Sequence, residues 1–346
     1  MEVSKKTLEQ IREIYSWMAD EKSQKLFIDR LMYSISLDRE YIYRLLEDSF
    51  IDFSERIKTL ENRKKIIIYG AGYNCEMVTL ACRKYGIKIN YVCDKDEKKQ
   101  GKKYFGYEVI SPDMLIHEHR DATVIISTTT YYDEVIHFLQ QFYPNKQLIS
   151  FATKEQIDSV GVQYFDNKVV QVNDGEIFVD GGCFDFETSK ILMNMCKVNK
   201  IYAFEPDNNN LRKINKELEK IDSSNVQVIS SGMWSCDTTL CFKAEGSIQS
   251  RIDKDGEEKI DVKALDNVIN DKVTFVKMDI EGSELQALIG ASKTIKKYKP
   301  KLAICIYHKI EDIIEIPQYI HSLVPDYKFY IRHYSFSDSE TVLYAI

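Results

Sequence analysis

The hydrophobic pattern divides the chain into a helical start and two later regions in which strands and helices alternate. Up to about residue 62, apolar residues such as Leu26, Phe27 and Leu31 recur at helical spacing between charged ones. That spacing is typical of amphipathic helices, which bury one face. We therefore predict a helical N-terminal segment over residues 1–62.

The pattern changes near Lys64, where short β-rich runs begin to alternate with amphipathic stretches. The runs are KKIIIYG, INYVCD, TVIIS and QLIS, and the stretches between them cover 73–86, 111–118 and 130–142. This alternation is typical of βαβ units around a parallel sheet. We predict a Rossmann-like α/β domain over residues 63–152 and a weakly patterned linker over 153–175.

A second alternating series predicts another doubly wound α/β domain, over residues 176–346. Its predicted strands cover 176–182, 200–205, 226–231, 273–279 and 301–307, and its predicted helices cover 186–196, 208–221, 283–297 and 311–323. Four further β-rich runs come in two pairs, TTLCFKA with KIDVKAL and YKFYIRHY with TVLYAI, and no helix lies between the members of a pair. They predict that the sheet ends antiparallel.

Composition narrows the class of protein and its partners. The 346 residues include 47 Lys and Arg against 54 Asp and Glu, a net charge of -7, and the basic residues are scattered. Nucleic acid is therefore not an expected partner. No segment reaches the roughly 18 continuous apolar residues of a membrane span, so we expect no membrane insertion either.

The N-terminus and the cysteines bear on the compartment. The opening MEVSKKTLEQIREIYSWM mixes acids with bases and has no continuous apolar region, unlike a secretory signal. The eight cysteines never occur as CxxC, and several lie within apolar runs. We expect reduced thiols and a cytoplasmic protein.

Two glycine turns follow the first strand of each predicted sheet, where α/β proteins bind ligands. In IIIYGAGYNC, Gly70 and Gly72 fit the start of a GxGxxG pattern, but Cys75 replaces the third glycine. Asp94 then ends the next strand, near the place of a ribose-binding carboxylate. Either this turn binds a dinucleotide or it is a tight turn that binds nothing tightly.

The second turn, IFVDGGCFDFETS, has stronger features. Asp180 ends the strand, Gly181 and Gly182 permit close backbone approach, and Glu205 ends the following strand. A carboxylate in that place suits the hydroxyls of an adenosine ribose. Asp180 would lie under the ligand's amino group or cap the turn, and Glu205 has the alternative of being a solvated strand end.

The stretch KMDIEGSELQAL places two more carboxylates, Asp279 and Glu281, after a buried strand. Ser283 is a natural helix cap there. With Asp180 and Glu205, acids would meet at one edge of one sheet. Such crowding is costly unless a polyhydroxylated or cationic ligand compensates it.

The residues from KALDNVI through MDIEGSELQAL to KPKLAICIYHK resemble the FkbM family of S-adenosylmethionine-dependent methyltransferases, over roughly residues 176–346. The resemblance implies a class I methyltransferase fold, a seven-stranded doubly wound sheet with an antiparallel C-terminal strand. It also implies methylation of a hydroxyl on a sugar, nucleotide-sugar or related small metabolite. We assign to cofactor binding Asp180, Gly181, Gly182, Glu205 and Asp279.

The first turn departs from this family in one place. Similar sequences have a glycine where this chain has Phe186. A phenylalanine adopts positive φ only at a cost, and here it would narrow the space near the cofactor. Residues 63–150 resemble the Rossmann-like domain that precedes the methyltransferase domain in some bacterial homologues.

Methyl transfer to an alcohol needs a group that removes the hydroxyl proton. His308, at the end of KLAICIYH, is our first candidate base, and His333 in YIRHYS is the second. Arg332 would meet an anionic substrate. The alternatives are that His308 bonds only the backbone, or that it joins Asp279 and Glu281 in holding a divalent cation, which we do not expect.

Three functions remain open from the sequence. The first is a methyltransferase with Asp279, Glu281, His308 and His333 as catalytic candidates. The second is a binding or scaffold protein of the same fold with weak or no activity. The third is a nicotinamide-dependent oxidoreductase that uses the first domain. The oligomeric state is open between a monomer and a homo-oligomer.

Overall fold

A computed structural model describes residues 5–49, 52–158, 163–243, 251–252, 256 and 258–346. They fall into two units. The seven-stranded unit is drawn from Met1–Ile35, Gly161–Tyr334 and Asp338–Ile346, and the six-stranded unit from Ser36–Val160 and Ser335–Ser337. None of the described helices has the length and hydropathy that a bilayer crossing requires.

The N-terminal segment is helical but does not form a unit of its own. Its helices are α1 (Lys5–Trp17), α2 (Glu21–Ser36), α3 (Glu40–Ser49) and α4 (Asp52–Lys58). Residues up to Ile35 belong to the seven-stranded unit, where Arg30 donates to the carbonyl oxygen of Tyr307 at 3.0 Å. The chain changes unit at the end of α2, which helical spacing alone does not reveal.

The six-stranded unit has the alternating pattern that the sequence predicts. Its elements are β1 (Ile66–Tyr69), α5 (Tyr73–Lys84), β2 (Tyr91–Cys93), β3 (Lys103–Tyr104), β4 (Tyr107–Ile110), α6 (Pro112–Glu118), β5 (Thr123–Ile126), α7 (Tyr132–Gln140), β6 (Leu148–Ser150) and α8 (Lys154–Asp158). The strand order is β3-β4-β2-β1-β5-β6. All four residues of β1 are buried, as expected for a central parallel strand.

The seven-stranded unit has the strand order β16-β17-β15-β14-β7-β8-β9. Its strands are β7 (Glu176–Gly181), β8 (Val198–Phe204), β9 (Val226–Ile229), β14 (Phe275–Met278), β15 (Lys301–Cys305), β16 (Phe329–His333) and β17 (Thr341–Ala345). Strand β17 is antiparallel to both neighbours, and the other pairs are parallel. The predicted class I fold and its antiparallel end are confirmed.

Five helices connect these strands: α9 (Glu187–Met195), α10 (Asn208–Leu218), α12 (Glu284–Gly290), α13 (Ser292–Tyr298) and α14 (Asp312–Leu323), with the short α11 (Leu265–Val268) before β14. The helix predicted over 283–297 is therefore two helices. They meet at Ala291, whose φ of -106° departs from helical geometry.

Two of the β-rich runs form a separate small sheet instead of joining the main one. Its strands are β10 (Gly232–Met233), β11 (Thr238–Lys243), β12 (Arg251–Ile252) and β13 (Glu258–Lys263), in the order β10-β13-β11-β12. Phe242, Ile260 and Val262 form its own hydrophobic cluster. The antiparallel end of the main sheet comes only from β16 and β17.

The predicted linker over 153–175 also differs from the structure. Its described part begins with α8, and Tyr164, Phe165 and Val170 are buried in the core of the seven-stranded unit. The ring of Phe165 packs edge-on against Phe178 and Phe275 on β7 and β14. Three apolar anchors in a polar stretch are too few to produce a periodic pattern.

Candidate functional site

All the predicted site residues except His333 lie at or just after the carboxyl ends of the central strands β7, β8, β14 and β15. Parallel strands end at the same edge of a sheet, so these residues share one edge. The predicted carboxylates nevertheless differ in how far they are exposed to solvent. Asp180 is fully buried, Glu205 is 5% exposed, and the side chain of Asp279 is 22% exposed.

Asp180 contacts the protein interior. It accepts a hydrogen bond from Ser189 Oγ at 2.6 Å and lies 3.1 Å from Lys277 Nζ. The same ammonium donates to the carbonyl oxygens of Gly181 and Gly182 at 3.0 and 2.7 Å. Burial opposes the charge of Lys277, but Asp180 raises its pKa. Asp180 therefore stabilises the turn, one of its two predicted roles.

The sequence analysis missed Lys277, although a visible signal marks it. It is the one charged residue in the buried strand β14, FVKM, and the lysine itself is 3% exposed. A lysine this deeply buried needs a carboxylate or carbonyl partner. Here it has both, on the neighbouring strand.

The turn after β7 depends on Gly182. Its φ is +73°, and a Cβ added there would lie 1.9 Å from the carbonyl oxygen of Asp279. Only glycine permits this approach between the turns after β7 and β14. Phe184 and Phe186 also have positive φ, at 55° and 71°. The sequence analysis expected Phe186 to narrow the space near the cofactor. In the structure its ring is instead fully buried in the hydrophobic core of the unit.

Glu205 lies at the end of β8 and contacts the first turn. Its Oε2 accepts from the Phe184 N–H at 2.9 Å, and its Oε1 accepts from the Asp207 N–H at 2.9 Å and from Asn210 Nδ2 at 3.4 Å. Burial raises its pKa, and these bonds oppose that effect. Each carboxylate oxygen has two acceptor directions, so Oε2 has one left for a ribose hydroxyl. Glu205 can therefore accept a hydrogen bond from the ribose of S-adenosylmethionine.

A cluster of three carboxylates and one imidazole follows β14 and β15. We call Asp279, Glu281, Glu284 and His308 the His308 cluster. His308 Nδ1 is 2.9 Å from Glu284 Oε1, and Nε2 is 3.4 Å from Asp279 Oδ1 and 3.5 Å from Glu281 Oε2. The His308 side chain is 8% exposed, Glu284 0% and Glu281 28%.

The charges of this cluster act on the imidazole. Burial alone would lower the pKa of His308, but Glu284, Glu281 and Asp279 raise it to about 11. An imidazolium donates a proton and does not accept one. The base role predicted for His308 therefore requires that it first lose this proton.

Two tyrosines orient Asp279. Tyr164 Oη donates to its Oδ2 at 2.7 Å, and Tyr307 Oη lies 3.2 Å from its Oδ1. Tyr307 Oη is equally close to Glu340 Oε1, at 3.2 Å. Burial and the charge of Asp279 raise the pKa of Glu340 to about 7. Sequence reasoning missed these three residues, because they lie outside the motif that contains Asp279.

Residues 170–329 match the family model of the methyltransferase FkbM domain. The seven-stranded unit contains an FkbM methyltransferase domain. The family suggested by MDIEG and KPKLAICIYH is thereby confirmed. Residues 62–149 match a second model, described as C2185-like, N-terminal. A comparison with curated proteins finds no match.

Solved structures agree with the FkbM fold. The crystal structure of methyltransferase FkbM from Methylobacillus flagellatus KT superposes with a TM-score of 0.51 at 21% identity, and covers 85% of this chain and 92% of that one. A more distant match is a putative methyltransferase from Streptococcus mutans in complex with SAH. It has a TM-score of 0.34 and 14% identity, and covers 56% of this chain and 100% of that one.

Two candidates that follow the residues matched by the FkbM model have partners of their own. His333 on β16 is 3% exposed, and its Nδ1 is 3.0 Å from Thr341 Oγ1 on β17. Strands β17 and β15 lie between β16 and β14, so two strands separate the strand of His333 from the strand that Asp279 follows. Arg332, expected to meet an anionic substrate, pairs with Asp20 at 2.6 Å.

The six-stranded unit has a cavity of about 630 Å³ beside its own glycine turn. Gly70, Asp94, Lys99 and Ser127 are among the residues that line it. Asp94 Oδ2 accepts from the Ala71 N–H at 2.7 Å and lies 3.3 Å from Lys99 Nζ. The carboxylate predicted to hold a ribose is thus bonded to the turn itself.

Proposed function

We propose that the FkbM domain transfers a methyl group from S-adenosylmethionine to a hydroxyl of a sugar, nucleotide-sugar or related small metabolite. One observation supports this above the others. At one edge of the seven-stranded sheet, Glu205 has an acceptor direction to spare, and the His308 cluster lies two strands away. A ribose contact and a proton-accepting group are what this reaction asks of the protein.

The cofactor residues follow the family pattern. Glu205 accepts a ribose hydroxyl, the turn at Gly181 and Gly182 permits close backbone approach, and Asp279 lies beside the methionine part. Lys277 and Asp180 hold the turn in place from below. Bound S-adenosylmethionine would supply the methyl group, whose bond to sulfur breaks as its bond to the acceptor oxygen forms, leaving the electron pair on sulfur.

The acceptor hydroxyl must lose its proton to become a good nucleophile. Glu281 and Asp279 are partly exposed, at 28% and 22%, while the two remaining members of the cluster are nearly or fully buried. The exposed carboxylate oxygens are therefore the ones that an incoming hydroxyl reaches. His308 holds the two carboxylates together from behind.

A second function has an observation in its favour. Asp180 and Glu205 both bond to the protein itself, which a cofactor-free scaffold would also require. The two functions differ in one measurable property, since only the methyltransferase binds the cofactor product S-adenosylhomocysteine.

Calorimetric titration of the full chain with S-adenosylhomocysteine tests the proposal. We expect saturable binding, weakened by about 1–3 kcal/mol in Glu205→Ala because buried donors lose a charged acceptor. Glu219→Ala, at the exposed end of α10, is the matched control and should bind like the parent. No binding by the folded parent would favour the scaffold.

The acceptor class is tested separately. The parent protein is mixed with S-adenosylmethionine and a panel of sugars, nucleotide-sugars, amines and carboxylic acids, and S-adenosylhomocysteine formation is measured. We expect turnover with hydroxyl acceptors. Turnover only with amines or acids would leave the cofactor assignment intact and overturn the substrate class.

A further inference from the structure

The imidazole of His308 has an unusual environment on its Nε2 side. Nε2 is buried and has no hydrogen bond of ordinary geometry. It points between Asp279 Oδ1 and Glu281 Oε2, at 3.4 and 3.5 Å, which is longer than the usual N–H···O distance. One buried nitrogen therefore lies beside two carboxylate oxygens without a hydrogen bond of ordinary geometry to either.

On the opposite side of the ring, Nδ1 is also buried without a hydrogen bond of ordinary geometry, and a carboxylate lies beside it. Glu284 is fully buried, and its Oε1 lies 2.9 Å from Nδ1 while it also accepts from the Ile280 N–H at 2.9 Å. A cation would replace the proton on Nε2, and a carboxylate beside Nδ1 favours the tautomer that keeps the other proton there. Histidines that bind metals commonly have this outer partner.

Asp279 is oriented in a similar way. Tyr164 donates to Oδ2, so the carboxylate is fixed while Oδ1 faces Nε2. Asp279, Glu284 and His308 each have one possible ligand atom, a carboxylate oxygen or a ring nitrogen, and these three atoms lie within 4.8 Å of one another. Both oxygens of Asp279 thus have a tyrosine partner, Tyr164 on Oδ2 and Tyr307 on Oδ1, and Oδ1 keeps a second acceptor direction.

The charge of the cluster favours a cation. Three carboxylates surround one imidazole, and Glu340 approaches through Tyr307. Lys277, the ammonium that acts on Asp279, already pairs with Asp180 and donates to two carbonyl oxygens. Partly desolvated carboxylates in excess are stabilised by a bound positive charge.

We propose that His308 Nε2, Asp279 Oδ1 and Glu281 Oε2 bind a hard divalent cation, Mn²⁺ or Mg²⁺, with Glu284 as a positioning residue. Neighbouring ligands of an octahedral ion with bonds near 2.1 Å lie about 3 Å apart. The separations from Nε2 to Asp279 Oδ1 and Glu281 Oε2, 3.4 and 3.5 Å, are longer than this, so binding must draw the three side chains closer together. Two carboxylates with one imidazole suit such ions.

Three protein ligands leave positions for water or a substrate oxygen. A cation there would lower the pKa of a coordinated hydroxyl, and the proton would pass to the carboxylate oxygen of Glu281 that is not a ligand, on the most exposed side chain of the cluster. This role rests on the proposed methyl transfer, whereas the binding of the cation does not. It also changes the role of His308 from base to ligand.

Titration of the metal-stripped full chain with MnCl₂, followed by electron paramagnetic resonance, tests the site without cofactor or acceptor. We expect one bound Mn²⁺, displaced by excess Mg²⁺. Glu281→Gln removes a ligand that is 28% exposed, and should weaken binding at least tenfold. Glu284→Gln should weaken it about 10–100-fold through the orientation of His308.

Glu219→Gln is the matched control, an exposed glutamate at the end of α10, and should bind Mn²⁺ like the parent. Thermal unfolding of each variant shows that it is folded. The proposal is overturned if the parent binds no Mn²⁺ at about 1 mM, an affinity of roughly -4 kcal/mol, or if folded Glu281→Gln binds it unchanged. Because no cofactor is present, either result is independent of S-adenosylhomocysteine binding.

Discussion

Phe186 shows how burial can outweigh backbone strain at a single residue. It is the residue just before helix α9 and lies in the left-handed region, with φ 71° and ψ 3°, and its ring is fully buried. The left-handed conformation costs a residue with a Cβ about 1–2 kcal/mol. A buried phenylalanine contributes more than this, since its removal typically costs about 3–5 kcal/mol.

We predict that Phe186→Gly destabilises the protein by about 2 kcal/mol, because the lost packing exceeds the relieved strain. Phe184→Gly is the matched comparison, since Phe184 has φ 55° but is only partly buried. It should change stability by less than about 1 kcal/mol. Urea unfolding gives both values, and a Phe186→Gly protein more stable than the parent would contradict the argument.

At the scale of elements, an ion pair fastens the last part of the sheet to the N-terminal helices. Arg332 on β16 pairs with Asp20, which lies between α1 and α2, and also donates to Ser23 Oγ at 2.9 Å. Burial opposes the charge of Asp20, but Arg332 and Ser23 lower its pKa to about 2. In the folded protein Arg332 is therefore the ion-pair partner of Asp20.

This pair predicts a pH dependence of stability. A lowered folded pKa stabilises the folded state above the unfolded value near 3.8, and the contribution is lost as pH falls toward about 2. The Asp20 side chain is 35% exposed, so solvent screening reduces the effect to about 1 kcal/mol at neutral pH.

Urea unfolding at pH 7, 4 and 2.5 measures how much the ion pair of Asp20 and Arg332 contributes to the free energy of unfolding. Asp20→Asn should be less stable than the parent at pH 7, and the difference should shrink at the lowest pH. Asp326→Asn removes a surface partner of Lys299 with 81% exposure, and should show little difference at any pH. An equal loss for Asp20→Asn at all three values would exclude the carboxylate as the cause.

At the scale of the whole molecule, the two units share one hydrogen-bonding arrangement between the first glycine turn and the end of the second parallel strand. In each, the turn glycine donates its N–H to the last residue of the second parallel strand, Gly70 to Cys93 at 2.8 Å and Gly182 to Phe204 at 3.2 Å. In each, the acid after that strand accepts a backbone N–H from the turn. The likeness is one of fold, since the units match different family models.

We predict that the six-stranded unit binds neither NAD nor NADP with a Kd below about 1 μM, roughly -8 kcal/mol. Cys75 replaces the third glycine of the pattern and is buried, so its side chain occupies the space in which helix and strand would pack closely against a bound dinucleotide. Calorimetry of the full chain with each dinucleotide measures this. Its titration with S-adenosylhomocysteine shows whether the sample is competent for binding, and a submicromolar Kd would contradict the prediction.

The sequence by itself determined the alternating elements, the antiparallel end of the main sheet and the FkbM family. Hydrophobic period and motif spacing are local properties, so they survive without a structure. The sequence also predicted that Asp279, Glu281 and His308 lie close together, because adjacent parallel strands end at the same edge of a sheet. The assigned roles of these residues remain predictions.

Only the tertiary structure decided what each charged group contacts. Tyr164 reaches Asp279 across 115 residues, Asp180 turns inward to Lys277, and Arg332 pairs with Asp20 across 312 residues. Such contacts depend on the side of a strand or helix that packs inward, and on segments too short to show a period. One sequence pattern is compatible with several partners for a charged side chain, and packing selects among them.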